Sequence, residues 1–204
     1  FCLSSAQEVV RPVAEEVILA DMEKAARAGV KIVKFTDRTF NYDRRRALRL
    51  FRRLAALPGE TVFHFELCAH LLDEETLDFL QTVPAGKFQF EIGVQSVWAR
   101  TVDAVNRAAS SEDALRASAR LREGGNLHLH LDLIAGLPYE TYSQFAQSYN
   151  RIYPLCDQLQ LGFLKLLHGT RLRGQAQSMG YRFCALPPYE ILSTPWLSYE
   201  ELLR

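Results

Sequence analysis

The sequence predicts an α/β fold, a partial barrel of parallel strands with its helices packed outside. Three observations carry the prediction. Short β-rich runs alternate with helical stretches along most of the 204-residue chain. The connections between them are short, as parallel strands joined by right-handed helical crossovers require. The strands also carry polar residues at alternate positions: His64 and Glu66, Gln89 and Glu91, then His128, His130 and Asp132. Strands in a filled barrel or a doubly wound sheet are covered on both faces and read as nearly continuous apolar runs. These strands turn polar groups to one side and Phe, Leu, Ile or Val to the other. One face therefore meets water or a ligand while the other packs on helices. A solvated pair of edge strands is the competing reading, but recurrence in three strands favours an incomplete barrel with a polar lumen.

The elements follow in order. Pro12 sits at a plausible first turn, apolar residues recur at helical spacing, and Gly29 stops the run, which predicts a helix between them. Residues 30–35 then form a strand, and Asn41 or Asp43 caps a second helix through about Ala56. Further strands are expected at 61–67, 87–93, 126–134 and 158–164. Helices are expected at 73–81, 97–107, 112–123, 141–153 and 171–179. From Tyr181 onward Pro187, Pro188 and Pro195 break the pattern, so residues 1–180 read as the core and 181–204 as an extension that wraps or leaves the barrel.

Bulk properties narrow the function classes. With 48% hydrophobic and 24% charged residues, the chain is an ordinary globular domain able to bury one core. Lys plus Arg and Asp plus Glu balance at 24 each, so no global field recruits nucleic acid or an anionic membrane. The basic run Arg44, Arg45, Arg46, Arg49, Arg52 and Arg53 reads as the solvated face of one helix. No apolar stretch approaches the roughly 18 residues of a membrane span, and no signal-peptide pattern opens the chain, which points to a cytoplasmic protein. Cys2, Cys68, Cys156 and Cys184 are too scattered for a secreted disulfide framework.

In folds of this kind the chemistry gathers in the loops after the strands' carboxyl ends. Those loops here hold TDRTFN, Glu66, GVQS, DLIAGLPYET and HGT. GVQS, an arginine in VNR twelve residues after its glutamine, and HLDLIAGLP on the next strand together resemble the radical S-adenosylmethionine (SAM) superfamily, particularly the branch containing oxygen-independent coproporphyrinogen III oxidase. FTDRTFN and FELCAHLLDEE also resemble uncharacterised radical SAM proteins that often carry an upstream cobalamin-binding domain. The likeness runs from Phe1 to about Thr170 and implies a partial (β/α)6 barrel whose first strand precedes this chain.

The resemblance implies roles position by position. Phe1-Cys2-Leu3-Ser4-Ser5 looks like the end of the family's C-x3-C-x2-C loop, which makes Cys2 the third thiolate of a [4Fe–4S] cluster and puts two further cysteines before residue 1. In the family, SAM chelates the open iron and is cleaved reductively to a 5′-deoxyadenosyl radical that acts on substrate; a fragment lacking two thiolates is expected to be inactive. Gln95 and Asp132 match residues that contact the SAM ribose, whose vicinal hydroxyls suit a carboxylate and an amide oxygen. Arg107 matches the arginine paired with the SAM carboxylate, and Glu66 a glutamate near the sulfonium. Contacts to the SAM amine and adenine are expected from the loop 36–39 with Asp37, from 162–164 with Phe163, and from the Phe1 ring. An electron donor and a substrate of unknown identity are the implied partners, with cobalamin a further cofactor if the upstream domain exists.

Each role has a plainer rival: a cap or turn for Asp132, a loop hydrogen bond for Gln95, a helix-end cation for Arg107, a lumen carboxylate paired with a histidine for Glu66. His64, His128 and His130 read as lumen lining rather than as a metal set, and Cys68 as an inert buried thiol rather than a substrate-facing one. Two other functions compete with the whole reading. One is a cluster-free (β/α) barrel binding a phosphorylated small molecule, supported only by Gly169 and Gly174 after a late strand. The other is a non-catalytic interaction module.

Overall fold

A computed structural model describes residues 10–107 and 110–204. Five strands form one all-parallel sheet in the order of the chain: β1 (Ile32–Lys34), β2 (Val62–Leu67), β3 (Phe88–Gln95), β4 (His128–Ala135) and β5 (Gln158–Phe163). A doubly wound sheet reverses its strand order at a switch point; this one never does, and it curls into a half-barrel. The helix α1 (Glu15–Arg27) precedes β1, and α2 (Arg44–Ala55), α3 (Glu74–Leu80), α4 (Ala99–Ala104), α5 (Ser111–Glu123) and α6 (Tyr142–Ile152) fill the connections.

The helix starts follow local chemistry. Asp43, rather than Asn41, caps α2 by accepting from the Arg46 N–H at 3.0 Å, and Asp73 and Ser110 do the same for α3 and α5. Asn41 instead clamps the chain after β2, donating to the Cys68 carbonyl and accepting its N–H, both at 2.9 Å. The arginine run does decorate α2, but it is bonded as well as solvated: Arg49 pairs with Glu15, Arg52 with Glu75, and Arg46 donates to the Val13 carbonyl.

Three elements differ from expectation for tertiary reasons. The strand expected from 126 starts at His128 because the Asn126 amide donates to the Leu80 and Val83 carbonyls, closing the end of α3. The helix expected over 97–107 shrinks to α4, since residues 96–98 are bonded to other elements and Asn106 takes a left-handed conformation (φ 56) that ends it. The helix expected over 171–179 is α7 (Arg171–Gln175), followed by turns that close where the Tyr181 N–H meets the Ala176 carbonyl.

The sheet's helix-facing side is an aromatic core. Phe63, Phe65, Phe88 and Phe90 from β2 and β3 and Phe51 from α2 are fully buried. Phe65 lies within 5.8 Å, centroid to centroid, of Phe35, Phe40, Phe51, Phe88 and Phe90. A second, smaller cluster joins Ala135, Leu137, Leu164, Leu166 and Leu172 to Tyr181, Ile191, Leu197 and Leu202. The segment from Tyr181, a hairpin of β6 (Arg182–Phe183) and β7 (Ile191–Ser193) followed by α8 (Tyr199–Leu202), thus packs against the loops after β4 and β5. Ile191 sits over Gly136 (φ 91), where a Cβ would come within 1.8 Å of its Cδ1. Among the described residues no helix is long and apolar enough to cross a membrane.

Truncating Phe65 to Ala removes the hub of the aromatic core and is expected to lower the unfolding free energy by about 3–5 kcal/mol, read as a fall in denaturant midpoint at unchanged slope.

Candidate functional site

The period-two alternation brings Lys34, His64, Glu66, Gln89, Glu91, His128, His130 and Asp132 to the sheet face opposite the helices. Register sets the rows across the strands: Glu66 beside Glu91, Glu91 beside His130, and Gly93 beside Asp132. At the carboxyl rim β3 is irregular between Gly93 and Gln95, and Gln95 adopts φ 73. That left-handed turn folds the Gln95 side chain back over Gly93, and its Nε2 lies 2.2 Å from where a Cβ at 93 would stand. Glycine at 93 is what admits the amide.

Arg107 reaches the same spot from the far end of α4. The left-handed Asn106 throws the chain back toward the sheet, and the Arg107 guanidinium donates to the Gly93 carbonyl. Glu66 arrives from β2 and pairs at 3.7 Å with Arg38 of the loop after β1. Deeper in the lumen, His64 Nε2 lies 3.4 Å and His130 Nδ1 3.9 Å from Glu91 Oε2, and His130 Nε2 lies 3.5 Å from Asp132 Oδ1.

Electrostatic coupling links Asp132 to Glu66, Glu91 and Arg107. Burial pushes the Asp132 carboxyl up to about 7, the Glu91 and Glu66 carboxylates push it the same way, and the Arg107 guanidinium opposes them. Burial likewise raises Glu66, with Glu91 adding to the rise and Arg38 and His64 resisting it. His130 is lowered by burial, with the Glu91 carboxylate resisting. Two acceptors at the rim are buried without a hydrogen-bond partner among the described residues, Gln95 Oε1 and Asp132 Oδ1. Buried polar atoms are rarely left so; Asp132 Oδ1 has the His130 Nε2 3.5 Å away, and both acceptors can take a donor from a hydroxyl-bearing ligand.

The other expected positions separate. Asp37 is exposed on the loop after β1, one residue before the Arg38 that pairs with Glu66. The Phe163 ring is 48% exposed and, by its register with Ala135, stands on the helix face, lining an apolar groove with Leu161, Tyr149 and Leu197. A contact from 162–164 to a lumen ligand therefore comes from the main chain. Phe1 and Cys2 lie outside the described residues. Among the described residues no group of three or more His, Cys, Asp and Glu is placed to hold a metal ion. Cys68 is half-buried with Sγ 3.1 Å from His70 Nδ1, and burial pushes its thiol up while the Arg107 charge opposes the rise.

Sequence reasoning missed a buried carboxyl. Glu140, in the loop after β4, is 1% exposed and accepts from Ser96 Oγ at 2.7 Å and Ser148 Oγ at 2.9 Å. Its surroundings push it up to about 7 through burial, which the two serine hydroxyls oppose. The signal was an acid inside the quoted DLIAGLPYET loop, but nothing local distinguishes a buried glutamate from a solvated one.

Acidic, amide and guanidinium groups thus lie at the carboxyl rim of a half-open (β/α) barrel. The radical SAM superfamily model matches residues 1–152, and the chain belongs to that superfamily. No curated protein sequence matches it. Among solved structures, TsrM, a radical S-adenosylmethionine methyltransferase from Kitasatospora setae with cobalamin and a [4Fe–4S] cluster bound, is similar at TM-score 0.71 and 17% identity, over 86% of this chain and 37% of that one. Coproporphyrinogen III oxidase (HemN) from Escherichia coli is similar at 0.56 and 22%, over 75% and 38%. The cobalamin-dependent S-adenosylmethionine radical enzyme OxsB is similar at 0.53 and 16%, over 70% and 22%. At such identities the likeness is one of fold, and the chain spans less than half the length of each of these proteins.

The Asp132 carboxyl gives a pH signature. Its folded pKa is raised above the unfolded value, so its favourable contribution is complete below about pH 4 and is lost as pH climbs through about 7. Asp132→Asn is expected to reduce the stability lost between pH 5 and pH 8 by on the order of 2 kcal/mol, measured as denaturant midpoints at both pH values. Glu140, raised in the same direction, keeps a residual slope in the variant.

Proposed function

We propose that this chain is the SAM-binding core of a radical SAM enzyme acting on a substrate not yet identified. The observation that carries the reading is the pair of buried acceptors that lack a hydrogen bond among the described residues, Gln95 Oε1 and Asp132 Oδ1, near Arg107 and Glu66 at one rim. Two acceptors at one rim suit the ribose diol of SAM. The planar fork of Arg107 suits its carboxylate, and the Glu66 carboxylate favours a cationic sulfonium nearby. Binding that cation would in turn stabilise the ionised forms of Glu66 and Asp132, which burial now opposes.

The residues present thus fit SAM. For the [4Fe–4S] cluster, Cys2 is the candidate thiolate of this chain, and no geometry here speaks to it. A bound cluster and SAM supply one-electron chemistry, the reductive cleavage of SAM. The protein's own share is positional. Main-chain groups of 36–39 and 162–164 would meet the amine and the adenine, and the rim residues fix the nucleoside. The polar face of His64, Gln89, Glu91, His128 and His130 lines the lumen below, where a hydrophilic part of the substrate would lie. An electron donor completes the partners this reading needs, and a cobalamin domain belongs to it only if the longer protein carries one.

The test uses the full-length protein, reconstituted anaerobically with iron and sulfide and reduced with dithionite, with 5′-deoxyadenosine as the product measured. Gln95→Ala is expected to weaken SAM binding about tenfold, the loss of roughly 1.4 kcal/mol from one buried hydrogen bond. Gly93→Ala should do at least as much, because the new methyl displaces the Gln95 amide. Wild-type SAM affinity in both variants would move the nucleoside site elsewhere.

A further inference from the structure

We propose that Glu140 is the positioning residue of the nucleoside site: it holds the turn after β3, through Ser96 and Ser148, in the one shape that turns the Gln95 amide into the lumen. The inference rests on the SAM reading above for its consequence, but not for its structural claim.

Gln95 is a non-glycine residue in a left-handed conformation (φ 73), a state that persists only where neighbours enforce it. The next residues show how. The Ser96 hydroxyl accepts the Trp98 N–H at 3.1 Å, which leaves its proton to donate, and it donates to Glu140. The Ser148 hydroxyl, on α6, accepts the Val97 N–H at 3.4 Å and donates to the same Glu140 oxygen. Ser111 of α5 donates to the Val97 carbonyl, and the Trp98 indole N–H donates to the Gln144 carbonyl.

Ser96 and Ser148 are fully buried and Glu140 nearly so. Because each serine oxygen is already occupied by a backbone N–H, each hydroxyl proton has one useful direction, toward an acceptor placed where Oε1 of Glu140 stands. Remove that acceptor and two buried hydroxyl donors are orphaned at once. The least costly repair is for the turn to shift, and Gln95 is the residue attached to it. Glu140 lies in the loop that follows β4, the strand of Asp132, so one carboxyl couples the loop after β3 to the loop after β4 and fixes the spacing of the two ribose acceptors. It touches no ligand itself.

Three variants and two readouts test this. Glu140→Ala removes the acceptor, Glu140→Gln keeps an acceptor oxygen in place, and Ser96→Ala removes one donor while sparing Glu140. The first readout, amide hydrogen exchange at Val97 and Trp98, needs no ligand. Exchange is expected to accelerate at least tenfold in Glu140→Ala, and to stay near wild type in Glu140→Gln. Equal protection in Glu140→Ala, or no rescue by Glu140→Gln, overturns the proposal whatever the chain binds.

The second readout is the affinity ratio between SAM and its 2′,3′-dideoxyribose analogue, which lacks the diol. Glu140→Ala and Ser96→Ala are expected to cut the preference for SAM about tenfold while barely changing analogue binding, and Gln95→Ala/Glu140→Ala should be no worse than Gln95→Ala alone. A loss shared equally by both ligands would mean general loosening and would sink the positioning role. Absence of SAM binding in the reconstituted wild-type protein would end the SAM reading, while the exchange result would still judge the holding of the turn.

Discussion

Everything in this molecule follows from covering a parallel sheet on one face only. The helix side takes the phenylalanines and leucines out of water and supplies the cohesion, with Phe63, Phe65, Phe88, Phe90, Leu129 and Leu131 all fully buried. The opposite side cannot be apolar without inviting collapse or aggregation, and it cannot be densely charged without repelling itself. The chain settles on imidazoles, amides and three carboxyls, with His64 and His130 set around Glu91. The outcome is a poised surface, in which burial and neighbouring carboxylates both raise Glu66 and Asp132.

That poise has a functional logic. On the proposed reading, a site in which burial raises Glu66 and Asp132 has a favourable place for a ligand that is both a cation and a hydroxyl donor. Such a ligand relieves the repulsion and satisfies the idle acceptors in a single event. The cost of assembling Glu66, Glu91 and Asp132 within reach of each other is met in advance by the aromatic core, which is preorganisation in its ordinary sense. The left-handed turn at Gln95 belongs to the same account, since a strained backbone is tolerated where burial and hydrogen bonds overdetermine it.

Much of this was legible from residues alone, for identifiable reasons. Period-two alternation is a local signal, so the lumen-facing His64, Glu66, Glu91, His130 and Asp132 could be assigned without knowing the fold. Helix starts were legible to within a residue or two: Asp43 is one of two candidate caps for α2, and the stretch from Asp73 reads as helical. What escaped depends on partners distant in sequence. The late start of α4 comes from contacts with residues more than forty positions away, through Ser96 and Glu140. The side of the sheet taken by Phe163 depends on its register with Ala135. The roles expected of Phe1 and Cys2 fall outside the described residues, and so rest on the resemblance alone.

The seat of Ile191 over Gly136 carries one more implication. A side chain from the closing hairpin fills the volume that any larger residue at 136 would need, so the glycine of the loop and the isoleucine of the hairpin form a lock and its key. A chimera that grafted a different closing segment onto this half-barrel would inherit a notch with nothing in it. One that kept the segment but imported another protein's loop would meet a collision. Shuffling of these parts must therefore move them as a pair.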